Sequence, residues 1–257
     1  MRHHLTILSM AIAAIISMTA CDKENSSILT CGSMGFVSGE SQIITDEGQT
    51  FILTGGKEMP ETEFGTRVYA SVTLTECISE LEKVFNAKLL GFSIPVCSVP
   101  VDGSSDNEET GWDDAISVAD AWISGGYLNV NCSWIGIRDS RTEQKTALVY
   151  NGTARDTVFF SLVHNSMKEG LYPDSANKQD LVIIRNKLAT FPIQELLPGR
   201  NVTIKLMWKW HRSDGQYIHP ETENHFACYS LADAAAASAS AALSTKAIIS
   251  PLTTLLP

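Results

Sequence analysis

The run Thr66–Cys77, TRVYASVTLTEC, constrains the fold more than any other stretch of the chain. Val68, Ala70, Val72 and Leu74 fall on one side of an extended backbone, and Arg67, Tyr69, Ser71 and Thr73 fall on the other, because successive strand side chains point to opposite faces. That period commits the first half of the chain to a half-buried β-strand. Shorter runs agree with it. Gly35-Phe36-Val37 and Ile43-Ile44 lead into the turn residues Asp46-Glu47-Gly48, then Phe51-Ile52-Leu53 and Gly55-Gly56, which reads as a small meander. One helix is expected to interrupt it, since Ser79 with Glu82 three residues on forms a capping box and Leu81, Val84 and Phe85 follow at helical spacing. Another strand candidate runs from Lys88 to Val99, broken near Pro95. About five short strands and one small helix across residues 31–101 suit a compact OB-like β-barrel.

The segment 102–112, DGSSDNEETGW, is polar and acidic, and it is the best domain boundary in the chain. Beyond it the β pattern resumes over residues 113–228. Strand candidates are Ile116–Ile123, Tyr127–Ile137, Lys145–Tyr150, Thr157–His164, Asp180–Lys187 and Asn201–Trp210, with turn signals at Asn151-Gly152, Pro198-Gly199 and Asp214-Gly215. Strands at that spacing imply an antiparallel β-sandwich. Residues 229–257 change to an alanine-serine tract without a strong amphipathic face, and are read as a low-complexity tail. The fold class expected is therefore all-β.

Residues 1–20 follow the secretory pattern: Arg2, an apolar run from Leu5 to Ile16, then small residues ending in Ala20. The run is too short to span a bilayer comfortably. Met18-Thr19-Ala20-Cys21 resembles a bacterial lipobox, which predicts acylation at Cys21 and a membrane tether, with residues 21–30 as a polar spacer. The alternative is an ordinary signal peptide that leaves Cys21 as a thiol. The acidic, lysine-containing stretch after Cys21 also resembles a surface-export signal, and equally reads as solvated spacer.

Past residue 20 the chain holds 18 basic against 29 acidic side chains, a balance of −11, so nucleic acid is not expected as a partner. Cys31, Cys77, Cys97, Cys132 and Cys228 are an odd set for an oxidising compartment, and none shows CxxC spacing. Zinc and thioredoxin-like chemistry are not signalled, and buried thiols in strands are the plainer reading.

Asp120–Asn131, DAWISGGYLNVN, places Gly125-Gly126 between apolar runs. A phosphate-cradling loop needs glycines leading from a strand into a helix. Here Tyr127-Leu128-Asn129-Val130 continues as strand, so the pair reads as a hairpin or bulge, with Trp122 and Tyr127 as large flanking rings. The stretch from Asp120 through Trp122, Gly125, Gly126, Tyr127 and Asn129 resembles the signature of NigD-like lipoproteins. Leu162-Val163-His164-Asn165 resembles that family's later Leu-x-His-Asn element, and Gly65-Thr66-Arg67-Val68 is similar to its Gly-x-Arg-Val element. The likeness spans roughly residues 21–226 and implies an OB-like domain ahead of a β-sandwich. It implies no enzymatic activity, catalytic residue set or cofactor; the family's name comes from bacteriocin production and immunity.

Residues that could carry chemistry are few. His164, His211, His219 and His225 are the histidines beyond the leader, and neither an H-E-x-x-H nor a G-x-S-x-G motif occurs. His164, ending an apolar strand beside Asn165, reads as a hydrogen-bonded structural histidine. His219 and His225 bracket an acidic loop that reads as solvated rather than metal-binding, and Asp113-Asp114 with Asp120 lack EF-hand spacing. Asp156-Thr157-Val158 and Asp174-Ser175-Ala176 resemble acceptor tripeptides for periplasmic O-glycosylation, a pattern short enough to arise by chance. Trp208 and Trp210 share one side of a strand. Exposed, they would stack on sugar rings or a partner surface; buried, they would fill the core, which is the preferred reading. The expected protein is a non-enzymatic, lipid-anchored envelope protein, placed at the outer membrane, with a binding or protective, immunity-like role and an envelope protein or glycan, not nucleic acid, as its partner. The alternative is a carbohydrate-binding accessory protein using Trp208 and Trp210.

Overall fold

A computed structural model describes residues 29–168, 182–198 and 202–209, and the backbone of 224–230. Five strands close the first half into a barrel: β1 (Leu29–Gly39), β2 (Gln42–Thr45), β3 (Thr50–Gly56), β4 (Arg67–Ser79) and β5 (Val84–Ser93), in the order β1-β2-β3-β5-β4. β1 pairs antiparallel with both β2 and β4, and β3 runs parallel to β5. The alternation in β4 does what it foretells. Val68, Ala70 and Val72 are buried with Val37, Ile43, Phe51, Phe85, Ala87 and Leu89 in the barrel core. Register shifts along β4 against β5 at Ser71/Val72, Leu74/Glu76 and Cys77/Ser79 add the local twist that lets a long strand wrap a small barrel.

The expected helix at Ser79 is absent. The Ser79 hydroxyl does accept the Glu82 N–H, at 3.2 Å, but the bond closes a turn between β4 and β5. Lys83 then takes a left-handed φ of 54°, which ends any helical course. Leu81 is 94% exposed while Phe85 enters the core from β5, so the apparent helical stripe never shares a face.

The chain passes to the sandwich after Ser93, ahead of the acidic segment 102–112. β6 (Val96–Cys97) and β7 (Val101–Asp102) already belong to its two sheets. The rest are β8 (Ser117–Ser124), β9 (Tyr127–Ile137), β10 (Lys145–Ala154), β11 (Thr157–Asn165), β12 (Val182–Pro192), β13 (Thr203–Lys209) and β14 (Asn224–Ser230). One sheet has the order β6-β12-β9-β8 and the other β14-β13-β11-β10-β7. β14 runs through Ser230, past the point where the tail was expected to begin. The sandwich is not purely antiparallel as expected: the short edge strands β6 and β7 lie parallel to β12 and β10, and β13 lies parallel to β11. The chain leaves β11 for the opposite sheet, forms β12, and crosses back, and two crossings restore its direction. Alternate residues of both sheets, among them Leu128, Val130, Trp134, Phe160, Leu162, Phe191, Ile204 and Leu206, make one core.

Asn151-Gly152, expected as a turn, is a bulge. β10 continues to Ala154 with its register shifted between Tyr150 and Thr153, and Gly152 carries the positive φ of 94°. The reversal comes later, at Arg155-Asp156, where Ala154 pairs with Thr157. Pro198-Gly199, Asp214-Gly215 and the alanine-serine tract lie partly or wholly outside the described residues.

The thiols divide by position. Cys132 is buried in β9, donates to the Lys187 carbonyl at 3.5 Å, and burial pushes it up to about 12. Burial also raises the half-buried Cys31 thiol, with Glu47 adding to the effect. Cys97 is an exposed free thiol in edge strand β6, against the expectation of burial. Iodoacetamide at pH 8 is therefore expected to alkylate Cys97 in the native protein and to reach Cys132 only in denaturant, read by peptide mass spectrometry.

Candidate functional site

The two glycines of the central motif make a two-residue hairpin between β8 and β9, closed by the Ser124–Tyr127 pair. Gly125 and Gly126 have φ of 55° and 82°, the positive values at both central positions that a type I′ turn requires. The hairpin projects at the barrel, where Phe36 of β1 lies against Tyr127 with ring centroids 5.9 Å apart.

Arg67, the first residue of β4, reaches into this junction. It lies on the polar side of its strand, yet its side chain is only 3% exposed. Its guanidinium forms a bidentate pair with Asp46, at 2.9 and 2.8 Å, donates from Nε to Thr190 Oγ1 at 2.9 Å, and from Nη2 to Asn129 Oδ1 at 3.1 Å. It also sits 3.9 Å from the Tyr127 ring centroid and 5.0 Å from that of Phe36. The side chain of Asp46, in the β2–β3 turn, is 1% exposed and accepts a further hydrogen bond from the Ser124 hydroxyl. Asn129 completes the net: its amide donates to Ser124 Oγ at 3.0 Å, and its oxygen accepts from Thr190 at 2.8 Å. Thr190 and Asn129 are direct neighbours across β12 and β9.

The consequence is chemical as well as geometric. A buried carboxylate and guanidinium are tolerable only when paired and hydrogen-bonded, and here the bonds come from both domains. Asp46 and Arg67 belong to the barrel; Ser124, Asn129 and Thr190 belong to the sandwich. The network therefore locks the two domains together, with an aromatic lid over the cation worth about 2 kcal/mol where it is desolvated. Gly125 is part of the lock, since a Cβ there would lie 2.6 Å from Asp46 Oδ1.

Of the motif residues, Gly125, Gly126, Tyr127 and Asn129 thus meet at one place. Trp122 joins through its backbone, its carbonyl receiving the Asn129 amide at 3.4 Å. His164 and Asn165 lie elsewhere. His164 is 1% exposed, bonded through Nε2 to Gln144 Oε1 at 2.9 Å and through Nδ1 to Thr146 Oγ1 at 3.3 Å, with its ring 5.1 Å from that of Trp134. Gln144 in turn donates to the Ile135 carbonyl at 3.1 Å, so His164 ties β11 to β9 through the intervening loop. Asn165 accepts the Met167 N–H at 2.8 Å and ends the strand in a turn.

Trp208 is 6% exposed and packs in the sandwich core with Leu206 and Leu162. Even-numbered residues of β13 point inward, so Trp208 fills the core, as the preferred reading expects, and offers no free ring face for the alternative of stacking. Trp210, His211, His219 and Cys21 lie outside the described residues, as do the side chains of His225 and Cys228. No cluster of three metal-ligating side chains occurs among the described residues.

Sequence reading missed Asp46, Thr190, Ser124 and Gln144. Asp46 appeared only as a turn residue; nothing local marks it as the buried partner of Arg67.

A model of the NigD-like C-terminal β-sandwich domain matches residues 98–221. Among solved structures, a protein of unknown function from Bacteroides vulgatus is similar with a TM-score of 0.57 at 14% identity, over 79% of this chain and 90% of that one. A NigD-like immunity protein from Bacteroides caccae gives 0.51 at 16% identity, over 77% and 95%. A candidate lipoprotein from Bacteroides fragilis gives 0.50 at 9%, over 79% and 97%. Curated proteins yield no match. The sandwich of this chain thus matches the NigD-like C-terminal β-sandwich domain, and the solved neighbours share the overall fold.

Proposed function

We propose that the chain is a non-catalytic envelope lipoprotein, tethered through Cys21, with a binding or protective, immunity-like role toward an envelope partner. The observation that carries this reading is the use made of the motif residues. Arg67, Gly125, Gly126, Tyr127 and Asn129 are consumed in joining two domains, and His164 is held by Gln144 and Thr146. Such an arrangement supports a rigid scaffold that presents surfaces, rather than a cleft that activates a substrate. Among the described residues no helix is long and apolar enough to cross a membrane, so the lipobox-like Cys21 is the element that would supply attachment.

Two experiments test the reading. Metabolic labelling with a fatty acid is expected to mark the wild-type protein and to be lost in Cys21→Ala, which should also shift from the membrane to the soluble fraction. Unchanged labelling removes the tether. Crosslinking of the acylated protein in its native envelope is expected to capture a specific protein partner, and recovery of glycan alone would overturn the immunity-like role.

A further inference from the structure

β12 is 11 residues long, yet on its outer side it pairs only through Ala189 and Thr190, with the two residues of β6. Pro95 stands immediately before β6 and has no N–H to extend the ladder. The Thr190 carbonyl accepts the Ser98 N–H at 3.3 Å, so the backbone of Thr190 faces away from β9. Backbone direction alternates along a strand, which turns the N–H and C=O groups of Ile184, Asn186 and Leu188 to the same side. Among the described residues no strand pairs with them there.

An edge of this kind is a template for another strand unless something blunts it. β8, at the far edge of the same sheet, is blunted by a register shift between Val118 and Asp120 and by the Asp120 charge. β12 keeps an unbroken register against β9 and has no proline before its last residue. On its outer face Ile184 is 67% exposed beside Ile135, with Asn186 exposed and Leu188 half-buried. The opposite face carries Arg185 and Lys187, neither of them paired with a carboxylate among the described residues. Arg185 donates to the carbonyls of Ile137 and Ser140, at 2.8 and 3.1 Å, and the Lys187 ammonium lies 5.8 Å from the Trp134 ring centroid. These charges decide between occupants. In a two-fold pairing with a second copy centred on Asn186, Arg185 would lie directly opposite the copy's Lys187, where like charges repel. An acidic side chain in either place would be attracted instead.

We propose that the edge of β12 over residues 182–188 docks an extended segment of a partner protein in which apolar and acidic side chains alternate. The apolar row covers Ile184 and Leu188, the acidic row meets Arg185 and Lys187, and the backbone bonds to Ile184, Asn186 and Leu188. The proposal rests on the reading of the chain as a binding protein and names the chemistry of its partner.

The test is amide hydrogen exchange by NMR on the purified mature chain, alone and with each of two heptapeptides, one alternating valine with glutamate and one alternating valine with lysine. In the free protein the amides of Ile184, Asn186 and Leu188 are expected to exchange about tenfold or more faster than those of Arg185 and Lys187, which face β9. The glutamate peptide should slow the first set by about tenfold or more, and the lysine peptide should bind about tenfold more weakly. Asn186→Pro removes one edge N–H and leaves the ladder to β9 untouched, and Ile184→Lys puts a charge into the apolar row. Each should weaken binding about tenfold, with the Arg185 and Lys187 amides still protected as the sign of an intact strand. Slow exchange at Ile184, Asn186 and Leu188 in the dilute free protein would overturn the proposal, as would protection that grows with protein concentration, the sign of a second copy. So would equal binding of the two peptides, or binding of neither. The measurement requires neither lipid nor native partner, so a negative result bears on the edge alone and leaves the Cys21 tether and a captured envelope partner standing.

Discussion

Arg67→Leu is expected to destabilise the protein by about 3–5 kcal/mol, the cost of removing one partner from a buried ion pair. Asp46, with its side chain 1% exposed, would keep only the Ser124 hydroxyl among its side-chain donors. Asn129 and Thr190 would each lose a bond as well, and Tyr127 its cation. Urea denaturation measures the loss. Arg67→Lys should recover only part of it, because an ammonium cannot form the bidentate pair with Asp46 while also donating to Thr190 and Asn129. The double variant Asp46→Asn/Arg67→Leu should be less destabilised than the sum of its singles, since no unpaired charge is left behind. Additive losses would mean that the two side chains do not act as a pair. Because these bonds cross between barrel and sandwich, the Arg67 variant should also show a larger radius of gyration by small-angle scattering, at denaturant concentrations where each β-domain retains its far-ultraviolet signal.

Gly125→Ala should cost about 2–4 kcal/mol, more than a left-handed backbone alone explains. The backbone share is isolated by Gly48→Ala. Gly48 has a φ of 75° and nothing within 4 Å of a built Cβ, so its variant should lose only about 1–2 kcal/mol. At Gly125 the same methyl meets Asp46 Oδ1 at 2.6 Å. That carboxylate is held through both oxygens by Arg67 and through one by Ser124, and cannot swing away without breaking the pair. Gly126 differs again, because its Cβ would meet the Gln194 side chain at 3.1 Å, and an exposed glutamine can move. Equal losses in Gly125→Ala and Gly48→Ala, by thermal or urea denaturation, would show that the hairpin does not press on Asp46.

These two results would bear on what the central motif is for. Its glycines permit a close approach, its Asn129 supplies a buried acceptor, and its Tyr127 covers the guanidinium. A joint tied in this way is rigid, and the motif residues are spent within it.

Much of the architecture was legible before any coordinates. Alternation in β4 reported the barrel, the bounds of β9 fell at Tyr127 and Ile137 as the pattern required, and continuation of strand after Gly125-Gly126 excluded a phosphate loop. The errors share a cause. Ser79 and Glu82 carry a true capping signal, but the bond it forms serves a turn because Leu81 has no core to face. Asn151-Gly152 is good turn chemistry that the neighbouring strands absorb as a bulge.

Local sequence determined the all-β class, the strand faces and a hairpin or bulge at Gly125-Gly126, because apolar period and turn chemistry are properties of adjacent residues; the structure decided for the hairpin. Tertiary structure alone decided what the polar residues do. Arg67 and Asn129 sit at positions that, read along their strands, belong to solvent; they are buried because a second domain covers them. Ser124 and Asp46 are 78 residues apart and meet only when barrel and sandwich are both complete. The burial of a charge depends on where its partner arrives, and pairing over that distance leaves no period in the chain to read.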